Sequence, residues 1–417
     1  MRRTRAPLAA ICALLALLPL CEAARAASPG QLCQTLRARL VAGGGAASGL
    51  FVIDGETGRP VCGRAAKRRR VLASNMKLFT TATALGRFGP RARLATRVLG
   101  DGEIDANGVL HGNLYLKGAG DPALGTPGFY GRFLGGLGTD LFALKRQLRA
   151  AGLRAVTGRL FADDTVFDRR RGVADSGYAT SPYIGPLSGL SLNSGYASAG
   201  GYGFASDPAK VAARKLARAL ARAGVRMRPS IALRAAPRGA ETLAVVRSPS
   251  VELLAEATNV PSNNFFAEML LKAIGARFGA AGATAAGARV VERFARARGA
   301  PLRAVDGSGL TRSNRASPAA VVRFLRAVHE EEIGEGFVQS LALTGREGTV
   351  ADRTRGTAAY RRCRTKTGTL TGVSSLSGYC FNRSGRLMIF SILMNGVYDL
   401  GRAHHEQDRM AGEIAGY

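Results

Sequence analysis

Ala73-Ser74-Asn75-Met76-Lys77 is the stretch around which the rest of the chain is organised. Ser74 and Lys77 are three residues apart, so on a helix their side chains project from the same face. The helix is predicted from an apolar stripe between Leu78 and Leu85, and it ends at Gly89-Pro90. A lysine one turn from a serine can take the serine proton, although a solvated helix face produces the same spacing without any chemistry.

The first residues have the features of a secretory signal peptide. Arginines follow Met1, an apolar block runs from Leu8 to Leu20, and Ala24-Arg25-Ala26 is a small-x-small cleavage site. We expect cleavage after Ala26 and an exported protein, periplasmic or associated with the cell wall. A lipid anchor at Cys21 is disfavoured because a leucine precedes it. No later apolar run reaches the roughly 18 residues of a membrane span, so we expect a protein that does not span the membrane.

The chain is strongly basic, with a formal net charge of +30 over 417 residues. Such a surface attracts polyanions, and nucleic acid is one candidate. The arginines are nevertheless scattered, with short runs at Lys67–Arg70 and Arg169–Arg171, and no nucleic-acid motif accompanies them. We therefore expect a solvated basic surface beside an acidic cell envelope and no nucleic-acid partner. The sequence leaves the oligomeric state open.

Four cysteines remain after the predicted cleavage: Cys33, Cys62, Cys363 and Cys380. Three pairings are possible, and export favours disulfides. The last two cysteines flank a predicted hairpin centred near residues 371–372, which favours their pairing and leaves the first two for each other. Free thiols are the alternative. No CxxC motif occurs and the four histidines are not spaced as ligand sets, so no metal and no cofactor is predicted.

The chain divides into three segments with two different sequence patterns. Residues 27–92 begin with a helix and a strand pair, and residues 245–417 contain helices followed by an antiparallel meander. Residues 93–244, between them, contain short strands broken by glycines. We predict an α+β fold in which the two outer parts form one catalytic domain, interrupted by a large, strand-rich inserted domain.

Two more short motifs lie in the second half of the chain. Ser262-Asn263-Asn264 falls in a loop between two predicted helices, and Lys366-Thr367-Gly368-Thr369 falls on the first strand of the meander. Together with Ser74-x-x-Lys77 they have the order and context of the SxxK, SxN and KTG set of penicillin-recognising serine enzymes. Purely structural alternatives exist, since Ser262 could cap the following helix and Gly368 could simply permit close approach of the strand.

With these motifs the chain resembles the D-alanyl-D-alanine carboxypeptidase/endopeptidases, the serine peptidases of family S13, also called class C low-molecular-mass penicillin-binding proteins. The 188 residues from Ser74 to Ser262 leave room for the large insertion of that family. Asp306-Gly307-Ser308-Gly309-Leu310 looks like its Asp-Gly-Ser-Gly-Leu segment, which we assign to a turn beside the site without a chemical role. The resemblance implies a β-lactamase/transpeptidase-like domain, peptidoglycan stem peptides as substrates and β-lactams as covalent inhibitors.

The resemblance also implies a role for each motif residue. Ser74 is the expected nucleophile, Lys77 its base, and Ser262 the relay of the proton to the leaving amine. The expected substrate-binding residues are Asn264, Lys366, Thr367, Gly368 and Thr369. The backbone N–H groups of Ser74 and Thr369 are the expected oxyanion hole. Lys366 is also expected to help lower the pKa of Lys77.

Two other functions agree with some of these sequence features. A serine β-lactamase has the same three motifs, but the chain lacks, after Asn264, the Glu-x-x-Leu-Asn segment of the class A enzymes. A non-catalytic protein could instead bind acidic wall polymer through its basic surface. The sequence does not separate carboxypeptidase from endopeptidase activity.

Overall fold

A computed structural model of the protein describes residues 28–417. The predicted signal peptide, residues 1–26, lies outside the described residues. The described chain forms eleven α-helices and sixteen strands, arranged as two six-stranded sheets, two short strand pairs and their covering helices. Within residues 28–417, no helix combines the length and the apolar character that crossing a membrane requires.

The helices, in chain order, are α1 Pro29–Gly44, α2 Met76–Phe88, α3 Pro127–Phe133, α4 Leu141–Ala150, α5 Pro208–Arg222, α6 Val251–Asn259, α7 Asn264–Phe278, α8 Thr284–Arg296, α9 Pro318–His329, α10 Gly334–Gln339 and α11 Leu400–Gly416. The strands are β1 Gly49–Asp54, β2 Pro60–Arg64, β3 Arg70–Val71, β4 Ala95–Gly100, β5 Val109–Leu110, β6 Leu114–Lys117, β7 Leu124–Gly125, β8 Thr139–Asp140, β9 Ala155–Asp163, β10 Arg226–Leu233, β11 Glu241–Arg247, β12 Arg315–Ala316, β13 Ala342–Leu343, β14 Cys363–Leu370, β15 Val373–Phe381 and β16 Leu387–Asn395.

The first sheet joins the two halves of the chain. Its strand order is β13-β14-β15-β16-β1-β2, and every neighbouring pair is antiparallel. The N-terminal pair β1-β2 thus completes the C-terminal meander, as the sequence predicts. One face packs against α1 and α11, and the other against the helical layer that contains α2, α7 and α9. The α+β fold class is confirmed.

Helix α2 lies at the centre of the helical layer. Every residue from Met76 to Leu85 is buried, which is the pattern of a helix packed on all sides. Its buried threonine hydroxyls find acceptors on the backbone: Thr81 Oγ1 donates to Lys77 O at 2.7 Å and Thr83 Oγ1 to Phe79 O at 2.7 Å. The helix that carries Lys77 is therefore packed on all sides, and these two buried hydroxyls are satisfied within the helix itself.

The second sheet is formed entirely by the chain between Ala95 and Arg247. Its strand order is β10-β9-β6-β4-β11, with β5 beside β9, and it packs against α4 and α5 around a core of its own. Strand β11 continues to Arg247, past the predicted boundary at residue 244. We propose that this sheet and its helices are the inserted domain, with the second junction after Arg247.

Both predicted disulfides are present. Cys363 on β14 and Cys380 on β15 are directly opposite each other in the hairpin and are bonded. Cys33 on α1 is bonded to Cys62 on β2, which ties the first helix to the edge of the first sheet.

Candidate active site

The candidate nucleophile lies just before α2. Ser74 belongs to a 3₁₀ turn, Ala73–Asn75, and the α-helix begins only at Met76. The backbone of Ala73 has φ +48°, in the left-handed region that non-glycine residues rarely adopt. The sequence pattern places Ser74 in the α-helix itself, because apolar spacing cannot separate a 3₁₀ turn from the α-helix that follows it. Ser74 is half-buried.

Two glycines press against the backbone of this turn. A Cβ atom at Gly368 would lie 2.8 Å from Ser74 N, and one at Gly309 would lie 2.9 Å from the same atom and overlap the Ala73 carbonyl. Gly368 therefore permits the close approach of the strand that the sequence analysis considered for it. Its lack of a side chain lets β14 lie directly against the candidate nucleophile. Gly309 presses against the same backbone from the Asp306–Leu310 segment.

Lys77 is fully buried and contacts three oxygen atoms. Its Nζ lies 3.0 Å from Ser74 Oγ, 2.7 Å from Asn264 Oδ1 and 2.7 Å from Ser308 O. The oxygen of the Asn264 amide and the Ser308 carbonyl oxygen can only accept, so Nζ donates to both. These two donations use both hydrogens of a neutral amine and leave its lone pair for the Ser74 hydroxyl. The geometry therefore fits a neutral lysine poised to take the serine proton.

The burial of Lys77 also favours its neutral form. Burial lowers the pKa of Lys77 to about 7, while Asp306 and Glu268 act against this shift. Burial is thus the leading cause, and Lys366, which we expected to help, is not among the groups that shift the pKa of Lys77. The pKa of Lys366 itself is lowered well below its ordinary value, first by burial and then by Lys77.

The second motif occupies the loop between α6 and α7. Ser262 is half-buried and has φ +60°, a strained left-handed conformation for a serine. The helix cap is Asn263, whose side chain accepts from Phe266 N at 3.1 Å, so Ser262 is not the cap considered as the alternative. Asn264 begins α7 and its Nδ2 donates to Tyr183 O at 3.0 Å, which fixes the amide with Oδ1 toward Lys77.

The third motif lies on β14. Lys366 is fully buried, and its Nζ donates to Thr367 O at 3.1 Å. Thr367 is nearly buried, with its hydroxyl 2.7 Å from Thr349 Oγ1, while Thr369 is exposed at the open end of the strand. The structure therefore brings Ser74, Lys77, Asn264 and the Lys366–Thr369 strand to one place from distant parts of the chain.

Asn75 is a residue of the site that the sequence analysis does not single out. Its Nδ2 donates to Lys366 O at 2.9 Å and its Oδ1 accepts from Ser377 Oγ at 2.6 Å. The side chain is fully buried and links the turn of the nucleophile to β14 and β15. The only local signal is the preference of asparagine for the position just before a helix, where Asn75 lies, and this preference does not indicate its distant partners.

Two buried carboxyl groups, Glu268 and Asp306, also lie beside Lys77. Glu268 accepts from the backbone of Gly307 and Ser308, and Asp306 accepts from the backbone of Gly309 and Thr311. The Asp306–Leu310 segment is the expected turn beside the site. It has more than the passive role assigned from the sequence, because the Ser308 carbonyl binds Lys77. Glu268 was detectable as the single acid in the apolar stretch Phe265–Ile274.

The second sheet's part of the chain contacts this site. Besides the Tyr183–Asn264 hydrogen bond, Asp175 Oδ1 accepts from Thr311 Oγ1 at 2.8 Å. Farther along α7, Lys272 is fully buried and its Nζ donates to Asp168 Oδ1 at 2.7 Å. Over residues 28–417, no group of three or more His, Cys, Asp or Glu side chains is placed to hold a metal ion.

Comparison with known proteins identifies the family. A model of the D-Ala-D-Ala carboxypeptidase 3 (S13) family matches residues 33–202 and 202–415. A D-alanyl-D-alanine carboxypeptidase from Actinomadura sp. (strain R39) is 31% identical over 434 residues, which cover 84% of this chain and 78% of that protein. A carboxypeptidase from Mycobacterium tuberculosis is 27% identical over 370 residues, covering 84% of this chain and 77% of that one.

The fold is also that of solved relatives. Penicillin binding protein 4 from Haemophilus influenzae superposes with a TM-score of 0.77 at 19% identity, covering 92% of this chain and 99% of that one. A penicillin G acylated predatory endopeptidase from Bdellovibrio bacteriovorus has a TM-score of 0.55 at 18% identity, covering 88% and 90%. The similarity in sequence extends over both halves of the chain, and the motifs lie where the fold brings them together. The chain belongs to the D-Ala-D-Ala carboxypeptidase 3 (S13) family.

Proposed function

We propose that the protein is a serine D-Ala-D-Ala carboxypeptidase that acts on peptidoglycan stem peptides through an acyl-enzyme at Ser74. The observation that carries the proposal is the buried Lys77 amine, which contacts Ser74 Oγ, Asn264 Oδ1 and Ser308 O at once. With a pKa of about 7, this amine can be neutral at physiological pH and can accept the serine proton.

The reaction proceeds in two steps. Ser74 Oγ forms a bond to the carbonyl carbon of the penultimate D-alanine while its proton passes to Lys77. The C–N bond to the terminal D-alanine then breaks, and Ser262 relays a proton to the leaving nitrogen. Water finally attacks the ester carbonyl, which releases the shortened peptide and regenerates the Ser74 hydroxyl.

The remaining motif residues would bind the substrate. Backbone N–H groups of Ser74 and Thr369 would stabilise the oxyanion, each by about 3–4 kcal/mol. The position of Gly368 against Ser74 N supports this pairing, because it brings β14 within reach of a carbonyl held at the nucleophile. Lys366 and the hydroxyls of Thr367 and Thr369 would receive the terminal carboxylate, and Asn264 would hold the substrate amide.

The proposed partners and compartment follow from the same activity. β-Lactams would acylate Ser74 because their strained amide presents the same carbonyl to the nucleophile. Family membership and the two disulfides support an exported protein that acts in the periplasm or at the cell wall. Whether cross-bridges are cut as well is a question for defined substrates, since the terminal and the cross-linking peptide bonds share their chemistry.

Labelling with a fluorescent penicillin tests the proposal. We expect a stable covalent adduct on the unmodified protein and none on Ser74→Ala, whose circular dichroism should be unchanged. Mass analysis of muropeptide monomers and cross-linked dimers after digestion should show loss of one alanine. A protein that forms no adduct would be a non-catalytic wall-binding protein, and one that releases the adduct within seconds would be a β-lactamase.

A further inference from the structure

Glu268 lies beside Lys77, the proposed base, in the second turn of α7, and is fully buried. Its Oε1 accepts from the backbone N–H of Gly307 at 3.0 Å and of Ser308 at 2.7 Å. The carbonyl of Ser308 in turn accepts from Lys77 Nζ at 2.7 Å. A single residue therefore separates the Glu268 carboxyl from the amine of the proposed base.

Asp306 also accepts hydrogen bonds from the backbone of this turn, but, unlike Glu268, it accepts them with both carboxyl oxygens. One of its oxygens accepts from Gly309 N at 2.8 Å and from Asn314 Nδ2 at 2.6 Å, and the other accepts from Thr311 N at 2.8 Å. Donors thus reach both oxygens, which is the environment of an ionised carboxylate. Asp306 is the carboxyl of the pair that these contacts favour as the anion.

The second oxygen of Glu268 has no such donors. In the part of the chain that the structure describes, Oε2 and the Ser308 hydroxyl are both buried and neither has a hydrogen-bond partner of good geometry. The Ser308 side chain nevertheless lies close enough to this carboxyl to lower its pKa, so the hydroxyl and Oε2 are neighbours. Two adjacent buried carboxyls do not readily ionise together. An Oε2 that carries a proton removes the second negative charge and becomes a donor in a region where a buried hydroxyl oxygen lacks a partner.

The charged groups around this carboxyl agree with that assignment. The ionisable side chains that face it are Asp306, Lys77 and Lys272, with Lys366 beyond Lys77. Burial, and next the charge of Asp306, raise the pKa of Glu268 to about 8, and they outweigh the hydrogen bonds from Ser308 and Gly307, which lower it. A neutral Glu268 leaves a neutral Lys77 undisturbed, whereas an ionised Glu268 would favour the protonated lysine.

We propose that Glu268, held as a neutral acid, is a positioning residue for Lys77: it acts through Gly307 and Ser308 by keeping the Ser308 carbonyl against the lysine amine. The inference rests on the proposed function, in which Lys77 is the base. It assigns to Glu268 a geometric task that an uncharged side chain of the same shape can perform.

Three variants of the full chain test this assignment. Glu268→Gln keeps the size and one carbonyl oxygen, so its acylation by a fluorescent penicillin at pH 7 should stay within about threefold of the unmodified rate. Glu268→Ala releases the turn and should acylate about 10²-fold more slowly, as expected for a misplacement of about 1 Å. Its pH midpoint should also fall, because the Ser308 carbonyl no longer favours the ammonium form.

Glu292→Ala is the matched control. Glu292 Oε1 accepts from Ala304 N at 2.8 Å, so it makes the same kind of contact with the chain just before the Asp306–Leu310 segment, at a residue that does not bind Lys77. Its loss should lower stability and leave both the acylation rate and its pH midpoint unchanged. A midpoint that moves equally in Glu292→Ala and Glu268→Ala would mean that the effect is general loosening, and would overturn the inference.

One further measurement uses the unmodified protein and therefore does not require any variant to fold. Infrared spectra with ¹³C-labelled glutamate should show a protonated carboxyl at pH 7, and its absence overturns the proposal. A Glu268→Gln enzyme as slow as Glu268→Ala, with the unmodified protein acylated normally, overturns this inference alone. An unmodified protein that is never acylated at Ser74 overturns the proposed function and this inference with it.

Discussion

The packing of Gly309 against the nucleophile gives a sharp test of the site. Gly309 has φ +89°, and a Cβ atom there would overlap the Ala73 carbonyl and lie 2.9 Å from Ser74 N. Gly309→Ala therefore has two costs. A left-handed alanine costs about 1–2 kcal/mol wherever it occurs, and relieving the overlap requires a displacement of about 1 Å between the turn and the nucleophile.

Gly385 offers a control that separates these two costs. It has φ +77° in the turn between β15 and β16, and a Cβ atom there would meet nothing within 4 Å. The Gly385→Ala variant should therefore lose only the conformational part, about 1–2 kcal/mol of unfolding free energy. Its acylation rate should equal that of the unmodified protein. Gly309→Ala should lose more stability and acylate about 10²-fold more slowly, because the displacement falls on the attacking atom.

The assay is the rate of covalent labelling by a fluorescent penicillin, beside denaturant unfolding of each variant. The reasoning is refuted if Gly309→Ala acylates within about threefold of the unmodified rate while losing no more stability than Gly385→Ala. Such a result would mean that the turn can retreat without moving Ser74.

Three other outcomes are expected. The acylation rate should rise between pH 6 and pH 8, because a pKa of about 7 for Lys77 leaves about a tenth of the amine neutral at the lower pH and about nine tenths at the higher; a flat stopped-flow profile would contradict this. Asn75→Ala should lower the free energy of unfolding by about 2–4 kcal/mol, since it removes the buried hydrogen bonds to Lys366 O and Ser377 Oγ, and unfolding in urea measures it. Asp168→Ala should cost about 1–3 kcal/mol by leaving the buried Lys272 amine without its carboxylate, less than for a fully buried pair because Asp168 is partly exposed; adding Lys272→Met should recover most of that loss in the same assay.

The parts of the site that could be predicted from the sequence are carried by short, local patterns. Ser74 and Lys77 lie on the same side of the helix even though Ser74 is in a 3₁₀ turn, because three residues span about one turn in both α- and 3₁₀-helices. The Cys363–Cys380 pair was predictable because a hairpin fixes which residues are opposite each other. Each of these inferences needs only the residues between the two partners.

The parts that could not be predicted depend on contacts between distant segments. Asn75 bonds to Ser377, 302 residues away, and nothing near either residue specifies the other. The left-handed backbone of Ser262 is set by the loop that joins two packed helices, which no local preference of serine predicts. Strand β11 runs three residues past the predicted boundary at residue 244, because residues 241–247 form one edge strand of the second sheet and no change in composition marks residue 244. We therefore place the proposed junction after Arg247.

One face of α7 connects the proposed insertion to the candidate site, although the three sequence motifs all lie outside the insertion. Asn264, Glu268 and Lys272 are four residues apart and therefore project from the same side of the helix. Asn264 binds Lys77 and Glu268 holds the turn that binds Lys77, while Asn264 and Lys272 also bind Tyr183 O and Asp168. The Tyr183 carbonyl fixes which end of the Asn264 amide faces the lysine, because only Nδ2 can donate to it. Any shift of the insertion along α7 would break this hydrogen bond and free the amide to turn its NH₂ group toward Lys77. The proposed insertion is thus part of the geometry that would keep the proposed base, Lys77, aligned, although it contributes no motif residue.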